Sequence, residues 1–222
     1  MGIISRLLSQ AGHPRGKVGR FMVREMNRKH APLRNWVLAG VPEYGGVGRI
    51  LDLGCGGGGT IKRLASLAPE AEIHGVDSSD DSIKVATRIN ADLIAGGRVF
   101  VLLGTVSDLP YERGHFDLVL ATDSHYFWPD LPSDLAEVRR VLKDGGMLLL
   151  GGGAYFGGRL DSLIRRFEAA GDMSCQTLPD LEEIVVRAGY IDVTVRENWR
   201  KGWFSIVGTK HAGDCDILSN AT

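Results

Sequence analysis

Ile50-Leu51-Asp52-Leu53-Gly54-Cys55-Gly56-Gly57-Gly58-Gly59-Thr60 is the stretch that decides the fold. Apolar residues broken by one acid run into glycines. A helical pattern follows over Thr60 to Ala68, with Ile61, Leu64, Ala65 and Ala68 on one side. These signals in this order are a buried strand, a tight turn and a helix N-terminus. Four consecutive glycines weaken a fold unless something needs the room. Without Cβ atoms a ligand can approach the main chain.

The glycine spacing alone leaves two ligands open. Gly54, Gly56 and Gly59 satisfy G-x-G-x-x-G, the dinucleotide pattern. Gly54, Gly56 and Gly58 satisfy D-x-G-x-G-x-G, with Asp52 two residues before the first glycine. An acid there suits a ligand with a positive or hydroxyl-rich part near the turn, and it repels a pyrophosphate. S-adenosylmethionine carries a sulfonium, an α-ammonium and no phosphate.

Ile50 to Gly58 resembles motif I of the class I S-adenosylmethionine-dependent methyltransferases. The likeness is strongest to the small-molecule branch that includes the ubiquinone/menaquinone-type enzymes. It runs from about Val47 to Leu150 and more loosely to Lys210. It implies an α/β fold: a Rossmann-like, doubly wound, seven-stranded mixed sheet with an N-terminal helical cap over residues 1–46. The methyltransferase domain would then cover 47–210, with a lid insertion at about 154–176, and 211–222 would be a flexible tail. The implied activity is methyl transfer from S-adenosyl-L-methionine to a small molecule by in-line displacement at the sulfonium. The acceptor atom (O, N, C or S) and the oligomeric state are not legible.

Composition agrees with this class. The 222 residues carry a net charge of −1 and no basic block, so no nucleic-acid partner is indicated. Three scattered cysteines, Cys55, Cys175 and Cys215, form neither a disulfide framework nor a zinc pattern, which fits a reducing cytoplasm and no metal. No apolar run is long enough to span a membrane.

Ile73 to Asp77 reads as the second strand. Asp77 ends it at the right distance beyond the glycines for a carboxylate that holds a ribose. Ser79, followed by Asp80 and Asp81, is the better cap for a helix running to about Ala95. By resemblance Ser78 lies along the adenosine edge. Gly54, Cys55, Gly56 and Gly58 shape the methionine side with Asp52. In Gly104-Thr105-Val106-Ser107-Asp108-Leu109-Pro110-Tyr111 the family's adenine-contacting acid is replaced by Thr105, and Val106 fits as apolar wall. Phe116 to Ala121 is the fourth strand. It leads to Thr122-Asp123-Ser124-His125-Tyr126-Phe127-Trp128, at the sheet edge where ligands of open α/β sheets sit. Thr122 is expected at the cofactor. His125 is the leading general-base candidate, with Tyr126 next. The family's L-K-P-G-G turn stands here as Leu142-Lys143-Asp144-Gly145-Gly146.

The flanks are expected to supply the acceptor site. Helical patterns occur at Gly2 to Gln10, about Arg20 to Lys29, and Leu33 to Ala39. By resemblance His30 and Trp36 line the pocket from that side, and Tyr155, Phe156 and Phe167 from the lid; Met22 and Met26 could line it too, but they read first as sealing the cap against the domain. The competing readings are a non-catalytic adenosyl-ligand-binding protein, an NAD-dependent oxidoreductase and a protein methyltransferase. Asp52 and the Asp144-Gly145-Gly146 turn count against the oxidoreductase. The absence of an N-P-P-Y or D-P-P-Y motif counts against base methylation.

Overall fold

The computed structural model describes residues 16–169 and 173–212. The helix expected over Gly2 to Gln10 and nearly all of the tail lie outside the described residues. Two helices open the described chain, α1 (Gly16–Lys29) and α2 (Ala31–Leu38). The glycine stretch folds as expected. β1 (Arg49–Leu53) is buried after its first residue, and the loop delivers the chain into α3 (Gly59–Leu67). Next come β2 (Glu72–Asp77), α4 (Asp80–Ile89), α5 (Ala91–Ala95), β3 (Val99–Leu103) and β4 (Phe116–Thr122). The second half adds α6 (Leu131–Val141), β5 (Leu142–Gly152), α7 (Asp161–Glu168), α8 (Leu178–Arg187), β6 (Tyr190–Asn198) and β7 (Trp203–Lys210).

One seven-stranded sheet has the order β3-β2-β1-β4-β5-β7-β6. The first five in that order are parallel, and β7 runs antiparallel to both β5 and β6. Strand order reverses between β1 and β4, so their carboxyl ends open a crevice there. Apolar cores cover both faces. One is built on Leu51, Val119, Leu148 and Phe204, the other on Ile50, Ile61, Leu64 and Leu118. The α3 helix lies close against β2, since a Cβ at Gly75 would stand 2.5 Å from Ile61 Cδ1.

Three local expectations are corrected. The first helix begins at Gly16 rather than about Arg20. The Gly16 N–H and the Arg20 guanidinium both donate to Asp81 at the start of α4, which ties the helix down from its first turn. The helix expected from Asp80 to Ala95 breaks at Asn90. That side chain is buried and donates to the carbonyls of Gly58 (3.1 Å) and Ala86 (3.0 Å). The Leu142–Gly146 turn is an irregularity within β5, since Phe116 faces Leu142 while Leu118 faces Met147. Asp117 at that point pairs with Lys143 (2.6 Å) and accepts the N–H groups of Gly48 and Arg49.

Candidate functional site

A cleft of about 300 Å³ opens over the carboxyl ends of β1, β2 and β4 and is closed on one side by α1 and α2. That volume is at the lower bound of small-molecule pockets. Its floor is the glycine loop. Gly54, Gly56 and Gly58 have φ of +69°, +52° and +74°, a region that L side chains rarely enter. The N–H groups of Gly54 and Cys55 both donate to Val76 O, which turns the loop back onto β2. A Cβ on Gly54 would stand 2.3 Å from Ser124 Cβ, and Ser124 Oγ donates to Leu53 O at 2.7 Å. Gly54 therefore lets the tips of β1 and β4 touch. A Cβ on Gly56 would meet nothing within 4 Å. Gly58 is the left-handed cap of α3, packed against Asn90 and Ala86 of the next helix rather than bordering the cleft.

Asp77 borders the cleft. Its Oδ2 accepts from Gly56 N (2.8 Å) and its Oδ1 from Ser79 N (2.9 Å). It orders the loop as well as facing the cavity, and a carboxylate has room for more than two donors. The cap of α4 is Ser79, whose Oγ accepts from Ser82 N. Ser78 borders the cleft beside Asp77.

Asp52 lies in β1 beneath the cleft, not in its wall. It is 1% exposed and its Oδ2 has no partner. Burial drives its carboxyl up to about 7, with Arg34 working the other way and Asp77 adding to the rise. The loop and Asp52 thus meet a cation that sequence reasoning missed. Arg34 of α2 borders the cleft, donates to Asn27 O (3.3 Å) and keeps a buried Nε without a partner. Asn27 of α1 donates to Gly57 O at 2.8 Å, so the first helix latches the loop. Polar residues at 27 and 34 were the only available signal, and both sit in helices whose neighbours gave no motif.

The other wall is built around Asp123, which the sequence places inside the quoted segment without a role. Its φ is +55°, and this backbone turn aims its carboxylate across the cleft. Oδ2 is 2.7 Å from His30 Nδ1, while Oδ1 accepts from Gly153 N (2.9 Å) and Tyr126 OH (3.2 Å). The hydrogen bond with Asp123 raises the His30 pKa above its ordinary value, against the effect of burial. Met26, Thr122, Phe127 and Trp128 complete this side, and Thr122 Oγ1 is buried without a partner.

His125 stands outside the cleft. Its ring is 2% exposed and lies edge-on to Phe204 and Tyr126, and burial pushes it down to about 4, so it is neutral at physiological pH. Tyr126 is also buried, held by Asp123, and its phenol is pushed well up. Trp36 packs on Trp203 with the Arg196 guanidinium over its ring, away from the cavity. Tyr155 is buried against Phe204 and donates to Glu197 Oε1 at 2.6 Å. Met22, Phe156 and Phe167 do not border the cleft either. Phe156 joins a satellite cluster around Tyr126, Ile164 and Cys175.

Gly104, Thr105 and Val106 form the third side. Thr105 and Asp108 bridge one another, which turns the segment and leaves Asp108 outside the cleft. Two residues of α6 staple this loop. Glu137 accepts the Leu109 N–H (2.9 Å), and Arg140 donates to the carbonyls of Leu109 and Tyr111.

The chain matches known proteins in its central part. Residues 50–146 match the methyltransferase domain family. The chain is 37% identical over 101 residues to a fatty-acid O-methyltransferase of Mycolicibacterium smegmatis, covering 46% of this chain and 35% of that protein. It is 32% identical over 114 residues to the 27-O-demethylrifamycin SV methyltransferase of Amycolatopsis mediterranei, covering 51% and 42%. The chain thus spans about two fifths of the length of these curated relatives. Two solved structures share the fold. A geranyl diphosphate C-methyltransferase from Streptomyces coelicolor A3(2) superposes with a TM-score of 0.70 at 16% identity, covering 91% of this chain and 87% of that one. The Haemonchus contortus phosphoethanolamine N-methyltransferase 2, in complex with S-adenosyl-L-methionine, gives 0.69 at 21%, covering 80% and 52%. Taken with the sheet order and the glycine loop, these matches place residues 50–146 with the methyltransferase domain family on a fold that its solved neighbours share.

Proposed function

We propose that this protein transfers a methyl group from S-adenosyl-L-methionine to a protic small-molecule acceptor held between the loop wall and the His30–Asp123 wall. The residues present fit the cofactor. Arg34 Nε, Asp52 Oδ2 and Thr122 Oγ1 are buried polar atoms without protein partners at or just beneath the cleft, and Gly56 leaves open space where a Cβ would project. Asp77 receives the ribose hydroxyls. Arg34 and the amides at the start of α3 face the carboxylate of the methionine end. Val106 walls the adenine, and Thr105 replaces the usual acid beside it. When bound, the cofactor supplies an electrophilic methyl group on a sulfonium.

The remaining chemistry belongs to the opposite wall. Asp123 accepts from His30 Nδ1–H, which fixes the tautomer and leaves Nε2 as the proton acceptor. An acceptor O–H or N–H set against Nε2 loses its proton as the new bond forms. Phe127 and Trp128 give a flat apolar surface that aligns it, and alignment supplies much of the rate in such displacements. Near-zero net charge and the small-molecule relatives support this acceptor class over nucleic acid. Among the described residues no helix is long and apolar enough to cross a membrane.

The observation that carries this reading is the single cleft with Asp77 and the glycine loop on one wall and His30–Asp123 on the other. Calorimetric titration with S-adenosylmethionine, S-adenosylhomocysteine and NAD in parallel tests it. Both sulfur ligands are expected to bind, and Asp77→Ala to weaken them by about 10–100-fold, the cost of charged hydrogen bonds. Binding of NAD alone, or of none of the three, overturns it.

A further inference from the structure

We propose that Glu72, His74 and His115 form a binding site for a divalent transition-metal ion of the zinc type, at the end of the sheet opposite the methyl-transfer cleft. The three side chains each bring one ligand atom within 4.8 Å of the other two. Two imidazoles and a carboxylate are a zinc donor set, with a fourth position left for water.

The chain builds this cluster from two places. Glu72 and His74 are two apart on β2, so their side chains leave the same face of the strand. His115 enters from the turn before β4, and its N–H is tied to Val141 O at 2.7 Å. Asp77 of the cleft lies at the far end of β2, about 16 Å from Glu72 at strand spacing. The cluster is therefore separate from the methyl-transfer site, and its presence does not depend on the reading of that site.

Packing holds the rings in place. His74 is stacked on Phe100 (5.0 Å between centroids) and edge-on to Tyr111 and Phe116 (5.2 Å each). His115 is stacked on Tyr111 at 5.5 Å. Such aromatic walls restrict the imidazoles before any ion arrives. Glu72 and His115 are only half-buried, so an ion has a way in.

His74 is 8% exposed and faces Glu72 through Nε2, 2.7 Å from Oε1, so Nε2 is its ligand atom. Its Nδ1, on the far side of the ring, then carries the N–H. In a tetrahedral zinc shell, bonds of about 2.0–2.2 Å set ligand atoms roughly 3.3 Å apart. The Glu72–His74 pair is already near that spacing, and the His115 ligand atom lies within 4.8 Å of both, so a small adjustment of its side chain completes the set. One group opposes the ion. Arg49 Nε lies 3.6 Å from Glu72 Oε1, but its side chain is 45% exposed and can swing into water.

The test uses the full chain, without an affinity tag, after treatment with a chelator. Zn(II) is titrated by calorimetry, and Co(II) by visible absorption. One ion per chain is expected, with Co(II) bands of a four-coordinate site, and the apparent melting temperature should rise when zinc is added. His115→Ala and Glu72→Gln should each weaken binding by about 10-fold or more, since loss of even an outer-shell partner costs that much. His211→Ala, at an exposed histidine elsewhere, should leave stoichiometry and affinity unchanged. Cooperative unfolding of the metal-free variants shows that they are folded. Absence of zinc binding to the folded wild-type chain overturns the proposal, as does binding that survives both substitutions in the cluster.

Discussion

The two walls of the cleft are made in different ways. The loop wall is local: one strand, one turn and one helix N-terminus bring Gly54, Gly56 and the backbone amides together, and Asp77 follows at the end of the next strand. The opposite wall is assembled from distant pieces. His30 comes from the junction of α1 and α2, Asp123 from the end of β4, and Gly153, which donates to Asp123, from the end of β5. Local walls are fixed by backbone rules, such as glycine at positive φ. Distant ones are fixed by side-chain pairs that only the finished fold brings into contact.

The largest expected effect breaks the distant wall. His30→Ala removes the proposed base and should lower kcat about 10²–10⁴-fold, while the dissociation constant for S-adenosylhomocysteine stays within a few-fold. Steady-state kinetics on an acceptor found by screening, beside calorimetry, measures both. Asp123 acts through His30, so its signature is a pH profile. His30 works only when neutral, so kcat should rise with pH through its raised pKa. In Asp123→Asn the rising limb should move to lower pH and the maximum should fall. A limb that does not move would show that Asp123 holds structure alone.

The local wall breaks through the backbone. Gly54→Ala combines a left-handed residue with a Cβ set 2.3 Å from Ser124 Cβ. Strain of about 1–2 kcal/mol and a clash of about 1–3 kcal/mol add to a stability loss of roughly 2–5 kcal/mol, read by urea unfolding. Gly56→Ala sharpens the contrast. Its Cβ meets nothing, so the stability cost should be only about 1–2 kcal/mol, while cofactor affinity falls because the methyl group projects toward the cavity. Equal losses of stability in the two variants would mean that the glycines serve the turn alone.

This difference explains what the sequence could disclose. The strand–turn–helix at the glycines follows from periodicity and turn chemistry, and the seven-stranded mixed sheet that the resemblance implied stands in the structure, while Gly58 serves helix packing rather than the cleft. Asp77 was legible because its distance from the glycines is set by one helix and one strand. His125 reads as the leading base candidate because it sits in the right segment. Yet Asp123, two residues earlier, takes a left-handed turn, so its carboxylate faces the cleft while the His125 ring enters the core. No residue pattern announces that turn, since Asp adopts it less readily than glycine. Arg34 and Asn27 were invisible for a related reason. Their helices read only as an amphipathic cover, and their partners, Asp52 and Gly57, lie in another part of the chain.

The smallest effect compares two buried groups on either side of the sheet tip, Asp52 and His125. Asp52 has a folded pKa of about 7, above its ordinary value near 4. Between those values the folded chain holds a proton that the unfolded chain has lost, so stability falls as pH rises. His125 has a folded pKa of about 4, below its ordinary 6.5. Between those values the unfolded chain holds the extra proton, so stability rises with pH. Each slope is about 1.4 kcal/mol per pH unit at most, and from about pH 4 to 6.5 they oppose one another. The wild-type urea midpoint should therefore change little in that window from these two groups, and fall slightly from 6.5 to 7. Above 6.5 the half-exposed His30 adds only a shallow further decline. Asp52→Asn should expose the rising limb due to His125, and His125→Phe the falling limb due to Asp52. A wild-type curve as steep as that of either variant would show that one of the two residues keeps its ordinary pKa in the fold, and that its burial is not felt as charge.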